Sequence, residues 1–300
     1  KNMSLIEKEI LKSLSGPYGT VITEEGYRRG IKDLADPLKV VNGGIYRDVN
    51  LAVAKEYAQC VDVLAANTFA TRFALRTGQR ELYKDVVTEH HRLVAEAIES
   101  VGRSLNLVIA IGTYGDCYRP EEAPGIEEAR SFHGDQFAVI GALPNVDAVL
   151  AETLCTTREA VGIALAARDN HVPVIISFVV DATGRLLRGE SVEEAVRIVD
   201  AASDGYPIGY SLNCCPVNGA INALEKANGQ RGRFVLVYPN ASDVDPRLLD
   251  GVTEGTGVAQ TVIDPDARAE ELFRLTQRYP NIAIIGGCCG FDHRSIAAIA

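Results

Sequence analysis

The sequence predicts an α/β protein with the architecture of a (β/α)8 TIM barrel. Three observations carry that prediction: eight short apolar runs, helix-period stretches between them, and a length of 300 residues that suits eight such units. The first run ends near Ser15 and Gly16, and the others fall at 62–66, 107–111, 148–151, 174–178, 208–212, 234–238 and 282–285. They are rich in Val, Ile and Leu without polar alternation, the composition of parallel strands covered on both faces.

Between the runs, 46–59 and 81–100 read as long helices. Thr156 with Glu159, and Ser191 with Glu194, stand at capping-box spacing. Asp264 before Pro265 reads as an N-cap and a first helical residue, ahead of Ala269, Leu272, Phe273 and Leu275. An open doubly wound sheet would show the same alternation, but it would want a G-x-G-x-x-G turn after an early strand, and none is present. No linker composition divides the chain, so 1–300 reads as a single catalytic barrel domain. Two post-strand segments, 115–132 and 239–262, are long for connections and lie on the side where barrels place their working residues.

Bulk composition narrows the function. A formal net charge of −10 with no long basic run argues against nucleic acid and anionic membrane as partners. No stretch approaches the roughly 20 apolar residues of a membrane span, and the first ten residues lack the apolar run of a signal peptide. Seven cysteines in a chain large enough to need no staples suit reduced thiols and a cytoplasmic location.

The residues able to do chemistry cluster just after expected strands: Asn67 and Thr68, Glu152 and Thr153, Asn213 and Cys214, and the run Gly286-Gly287-Cys288-Cys289-Gly290. In a closed barrel those ends surround one mouth. Three thiolates from Cys214, Cys288 and Cys289 make a tetrahedral zinc site with its fourth position open, at Zn–S bonds of about 2.3 Å. Glycines around the cysteine pair would allow two successive residues to turn toward one ion. Cys215 is an alternative to Cys214 as ligand. Cys60, Cys117 and Cys155 read as small buried hydrophobes. Of the histidines, His90 and His91 are expected on an exposed helix face, and His293 at a helix start.

These residues resemble the homocysteine S-methyltransferase family along essentially the whole chain. The family's marks are a G-G-C-C run near the C-terminus and an N-C run after the sixth strand, here Gly286-Gly287-Cys288-Cys289 and Asn213-Cys214. Weaker matches are Asn67-Thr68-Phe69, Glu152-Thr153, Ser177-Phe178 and Tyr238-Pro239-Asn240. The resemblance implies a (β/α)8 barrel holding Zn2+ through three thiolates and moving a methyl group onto the sulfur of homocysteine to give methionine. It implies that Glu152 holds the substrate's ammonium group, with Asn67, Thr68, Ser15 and Gly16 as further substrate contacts. The chain departs from the family's common Asp-Gly-Gly-x-Gly-Thr opening, having Ser15-Gly16-Pro17-Tyr18-Gly19-Thr20 there, and Phe291-Asp292 where Thr-Pro is usual. Ser15 supplies no carboxylate and Pro17 no N–H.

The expected partners are therefore a small-molecule thiol and a methyl donor, the donor an onium such as S-methylmethionine, S-adenosylmethionine or betaine. Tyr18, Tyr46, Tyr114 and Tyr118 lie on or near expected mouth loops, where aromatic faces could meet such a cation. Two other readings stay open: a methyl group taken from a corrinoid or folate partner, or a zinc-binding barrel without turnover, closed by a fourth ligand such as Cys215.

Overall fold

In the computed structural model, residues 5–6, 11–16, 18–248, 264–291 and 295 are described. Eight strands form one parallel sheet in the order β1-β8-β7-β6-β5-β4-β3-β2. They are β1 (Lys12–Ser13), β2 (Val63–Ala66), β3 (Asn106–Ile111), β4 (Ala148–Leu154), β5 (Val174–Phe178), β6 (Gly209–Asn213), β7 (Phe234–Tyr238) and β8 (Ile284–Ile285). The remaining seam closes through a parallel bridge between Leu14 and Val63. There Asp62 N–H donates to Ser13 O at 3.0 Å and Ser15 N–H to Val63 O at 2.9 Å. Closure rules out the open-sheet alternative.

Around the barrel run α1 (Tyr18–Arg29), α2 (Gly44–Cys60), α3 (Arg72–Arg76), α4 (Arg80–Val101), α5 (Ile126–Ile140), α6 (Thr157–Asp169), α7 (Val192–Ser203), α8 (Val217–Lys226) and α9 (Pro265–Arg278). The two-residue period of a strand sorts each run between two apolar layers. Val63, Val108, Ala148, Leu150, Ile175, Leu236 and Ile284 fill the barrel interior, where Leu5 joins them. Leu64, Ile109, Val149, Ile176, Leu212 and Val237 face outward onto the helices. The same alternation carries Ala148 and Leu150 on to Glu152, Ile175 on to Ser177, and Leu236 on to Tyr238, so polar side chains succeed apolar ones along the interior as the mouth is approached.

Several boundaries differ from the sequence reading. β4 continues to Leu154 through a register irregularity after Ala151, so Glu152 and Thr153 belong to the strand rather than following it. Asn213 likewise ends β6, and β8 is shorter than its apolar run. The long segment at 115–132 is shortened by a 3-10 turn (Pro120–Glu122) and the start of α5. Of segment 239–262, the part beyond 248 lies outside the described residues.

Ser191 caps α7 as expected, accepting from Glu194 N–H. Thr156 makes no side-chain cap, because Glu159 turns inward instead: its Oε1 accepts from Tyr114 N–H at 2.6 Å and meets His133 Nε2 at 3.1 Å. His90 and His91 are buried, not exposed. The α4 face carrying them packs under neighbouring loops, where His90 Nε2 meets Pro37 O at 3.0 Å and His91 Nε2 meets Pro144 O at 2.8 Å. His293 lies outside the described residues.

Candidate metal and substrate site

At the C-terminal mouth of the barrel the sulfur atoms of Cys214, Cys288 and Cys289 lie within 4.8 Å of one another. Cys214 follows β6 directly with φ 49°, a left-handed conformation that aims its side chain across the mouth. Cys288 and Cys289 follow β8 on a loop pinned by backbone bonds to the segment after β7. Cys288 N–H donates to Pro239 O at 2.8 Å, and Ala241 N–H donates to Cys289 O at 3.0 Å. Two glycines make this loop possible. A Cβ at Gly287 would fall 2.2 Å from the Phe291 ring, and Gly290 has φ 90°. Phe291, which stands where the family commonly has threonine, thus packs directly on the cysteine loop.

Four tetrahedral sulfur ligands at about 2.3 Å from zinc lie about 3.8 Å apart. The three sulfurs lie within 4.8 Å of one another, and those of Cys214 and Cys288 are closer than the zinc-bound spacing, at 2.7 Å. The soft donor set suits zinc. Without an ion the three share their protons unequally. Hydrogen bonds from Cys214 and Cys288 hold Cys289 well below the ordinary thiol value. Hydrogen bonds with Cys214 and Cys289 push Cys288 well above it. The trio is therefore poised to hold a negative charge where a cation would sit.

The three sulfurs face a cavity of about 290 Å3. Every expected site residue borders it: Ser15, Gly16, Asn67, Thr68, Glu152, Cys214, Cys288 and Cys289. Glu152 is its sole acidic side chain among the described lining residues, and none of those residues is Lys, Arg or His. Burial, then the nearby Cys214, push the Glu152 carboxyl up to about 8, while Tyr238 Oη donates to its Oε1 at 3.2 Å. Burial above all keeps the Tyr238 hydroxyl protonated as that donor.

The other expected contacts are engaged in holding the fold. Ser15 Oγ accepts from Ala65 N–H at 2.9 Å and extends the barrel seam. Thr68 Oγ1 donates to Ala110 O at 2.7 Å, tying β2 to β3. Asn67 Nδ2 donates to Asn50 Oδ1 at 3.0 Å. Gly16 lies against Tyr57, whose Oη would be 2.7 Å from an added Cβ.

Of the four mouth tyrosines, Tyr18 and Tyr118 line the cavity, with Tyr238 and Phe69. Tyr46 instead donates to Asp33 at 3.1 Å, and Tyr114 packs edge-on against Phe132. Two of the lesser cysteines also depart from the buried-hydrophobe reading. Cys60 is half-buried, and Cys117 borders the same cavity as the trio. The sequence signal for Cys117 was its place in a long loop after a strand. Cys215 is fully buried in the outer core and does not border the cavity, so it is no alternative to Cys214.

The chain is similar in structure to the metallated form of the homocysteine methyltransferase MmuM from Escherichia coli, with TM-score 0.74 and 19% identity over 99% of this chain and 97% of that one. The oxidized form of the same protein gives TM-score 0.76 and 20% identity over 100% and 98%. A methionine synthase from Mycobacterium leprae is 29% identical over an alignment of 165 residues that covers 51% of this chain and 12% of that protein's length. Among the described residues no helix is long and apolar enough to cross a membrane. The family model for homocysteine S-methyltransferase matches residues 16–300, so the chain belongs to that family.

Proposed function

We propose that this chain, as one catalytic barrel, is a zinc-dependent S-methyltransferase that moves a methyl group from a small onium donor to the thiol of homocysteine or a related amino thiol, giving methionine or its analogue. The observation that carries this reading is the convergence of Cys214, Cys288 and Cys289 on the floor of a cavity whose acid is Glu152. Those three side chains would hold the zinc. With zinc bound, an acceptor thiol would lose its proton and be held as thiolate at the position the three cysteines leave open.

The chain's own residues supply the rest. Glu152 pairs with the acceptor's ammonium, which lowers the carboxyl from its raised value, and Tyr238 fixes that carboxylate's direction. Leu14, Ala35, Pro37, Ala65 and Ala110 give the cavity apolar walls that exclude water from the reacting sulfur. A cationic donor is drawn by the carboxylate and thiolates and meets the faces of Tyr18, Tyr118 and Phe69. The methyl group then passes in line to the acceptor sulfur, forming a new S–CH3 bond. The donor leaves as a neutral sulfide or amine, with the electron pair of the broken bond.

The partial match to methionine synthase favours a second reading, in which a corrinoid or folate partner delivers the methyl group. Zinc-edge X-ray absorption before and after adding homocysteine tests both readings, with a rise from three to four sulfur neighbours expected. An unchanged sulfur count would overturn them and favour a barrel without turnover. Turnover with S-methylmethionine, S-adenosylmethionine or betaine alone separates the first reading from the second.

A further inference from the structure

Glu152 lies on β4 and Cys214 directly follows β6, two strands separated by β5. One buried side chain bridges the gap. Asn213 Oδ1 accepts from Thr153 N–H at 2.9 Å and from Ser177 Oγ at 2.6 Å, and its Nδ2 donates to Thr153 Oγ1 at 2.8 Å. The Thr153 hydroxyl in turn lies against the Cys214 sulfur. Ser177 lies against the Tyr238 hydroxyl that donates to Glu152. The amide therefore reaches the Cys214 sulfur by one arm and the Glu152 carboxyl by the other.

The backbone is strained at the two positions this side chain controls. Thr153, next to Glu152, has φ 61°, and Cys214, next to Asn213, has φ 49°. Non-glycine residues hold such a conformation only where their surroundings over-determine it, and a β-branched threonine resists it most. The register irregularity in β4 falls at the same place, a device that re-aims side chains beside working sites.

We infer that Asn213 and Thr153 form a positioning clamp, in which a single amide sets the Cys214 sulfur and the Glu152 carboxylate at a fixed separation and directs the Thr153 hydroxyl proton onto the metal-binding sulfur. The inference rests on the zinc-dependent reading above. It assigns the clamp two separate effects: retention of the metal and placement of the acceptor. A bond serving only the barrel would lower stability and leave both untouched.

The test is zinc affinity by chelator competition on the full chain, with thermal melting alongside. Deleting an outer-shell partner of a metal ligand typically costs 10–100-fold in affinity. Asn213→Ala and Thr153→Ala should therefore each bind zinc about 10–100-fold more weakly. Thr153→Ser, which keeps the hydroxyl, should stay within about threefold of wild type. In the cobalt-substituted protein, Thr153→Ala should move the sulfur-to-metal charge-transfer band to lower energy, and Thr153→Ser should not. If Asn213→Ala fails to fold, the threonine pair decides alone. Equal zinc affinity for Thr153→Ala, Thr153→Ser and wild type would overturn the clamp while leaving the zinc reading standing. A wild-type chain that takes up no zinc would overturn the zinc reading and the clamp with it.

Discussion

The two walls of the barrel mouth are built on opposite plans. On the wall formed by β4, β6 and β8, polar side chains are aimed into the cavity and backbone strain is tolerated to keep them there, as at Thr153 and Cys214. On the wall formed by β1 and β2, polar side chains border the same cavity, but their hydrogen bonds join barrel strands: Ser15 accepts from Ala65 N–H across the seam, and Thr68 donates to Ala110 O on β3. A site spends strain only where geometry must be exact for binding or chemistry. On the function proposed above, the contrast assigns the metal and the ammonium to the strained wall and leaves the relaxed wall to give shape. It also accounts for serine at position 15: a seam residue needs an acceptor for Ala65 N–H, which a hydroxyl provides.

The largest effect should come from the strained wall's sulfurs. Structural zinc binding is worth about 10–16 kcal/mol over four ligands, or roughly 3–4 kcal/mol each. Cys214→Ala, Cys288→Ala or Cys289→Ala should each weaken zinc by about 10²–10³-fold and abolish methyl transfer. Zinc content after dialysis against a chelator measures it. Full zinc in all three variants would remove the strained wall's special status.

Glu152 comes next and yields a pH signature. Its carboxyl is raised in the folded, metal-free protein to about 8, by burial first and then by Cys214, from an ordinary 4.5. A raised folded value means stability that is complete below the unfolded value and is lost as pH climbs through the folded one. The wild type should therefore weaken between about pH 4.5 and 8 relative to Glu152→Gln, by roughly 3–5 kcal/mol at the upper end. Denaturant melts of the two metal-free proteins at pH 5 and pH 8.5 measure this, and a constant difference would place Glu152 in an ordinary polar setting. In catalysis, Glu152→Gln should raise the acceptor's KM about 10–100-fold with a smaller change in kcat, since a charged hydrogen bond is worth about 1.5–3 kcal/mol.

The same two walls show what a sequence can and cannot disclose. Short apolar runs gave away the strands, because burial on both faces keeps most of each strand free of polar residues until the mouth is reached. The cysteine pair between glycines gave away the trio, since little else demands two adjacent inward thiols. Seam closure was not legible: whether Ser15 faces a ligand or a backbone N–H depends on Leu14 pairing with Val63, a contact between residues far apart in the chain. Glu159 was misread for a related reason, since capping-box spacing describes a local bond while its carboxylate is taken by Tyr114 and His133 from other elements. His90 and His91 stand on a helix face that the sequence shows as polar and the loops at Pro37 and Pro144 cover. Cys117 joins the cavity only because its loop folds inward, which periodicity does not record.

A smaller effect is expected where the strained wall depends on packing alone. Gly287→Ala would put a methyl group into the Phe291 ring, and overpacking of that kind costs about 1–3 kcal/mol. Phe291→Ala in the same chain should return part of the loss, and zinc affinity should follow. A double-mutant cycle on melting temperature and zinc content reads the coupling; additive effects would mean the loop yields elsewhere.

The smallest effect on ligand binding, and the sharpest test of the contrast, is expected from Ser15→Ala. The variant leaves the Ala65 N–H without its acceptor inside the barrel, which costs about 1–3 kcal/mol of stability. On the reading of a seam residue, the acceptor's KM should stay within about threefold of wild type, because no bond to the ligand has been lost. Stability and KM thus separate the two roles that position 15 could play. A KM that rises tenfold or more with an unchanged melting temperature would mean that the serine hydroxyl turns to the ligand when one is bound. The relaxed wall would then be a binding wall as well, and the acceptor's ammonium would have two partners instead of Glu152 alone.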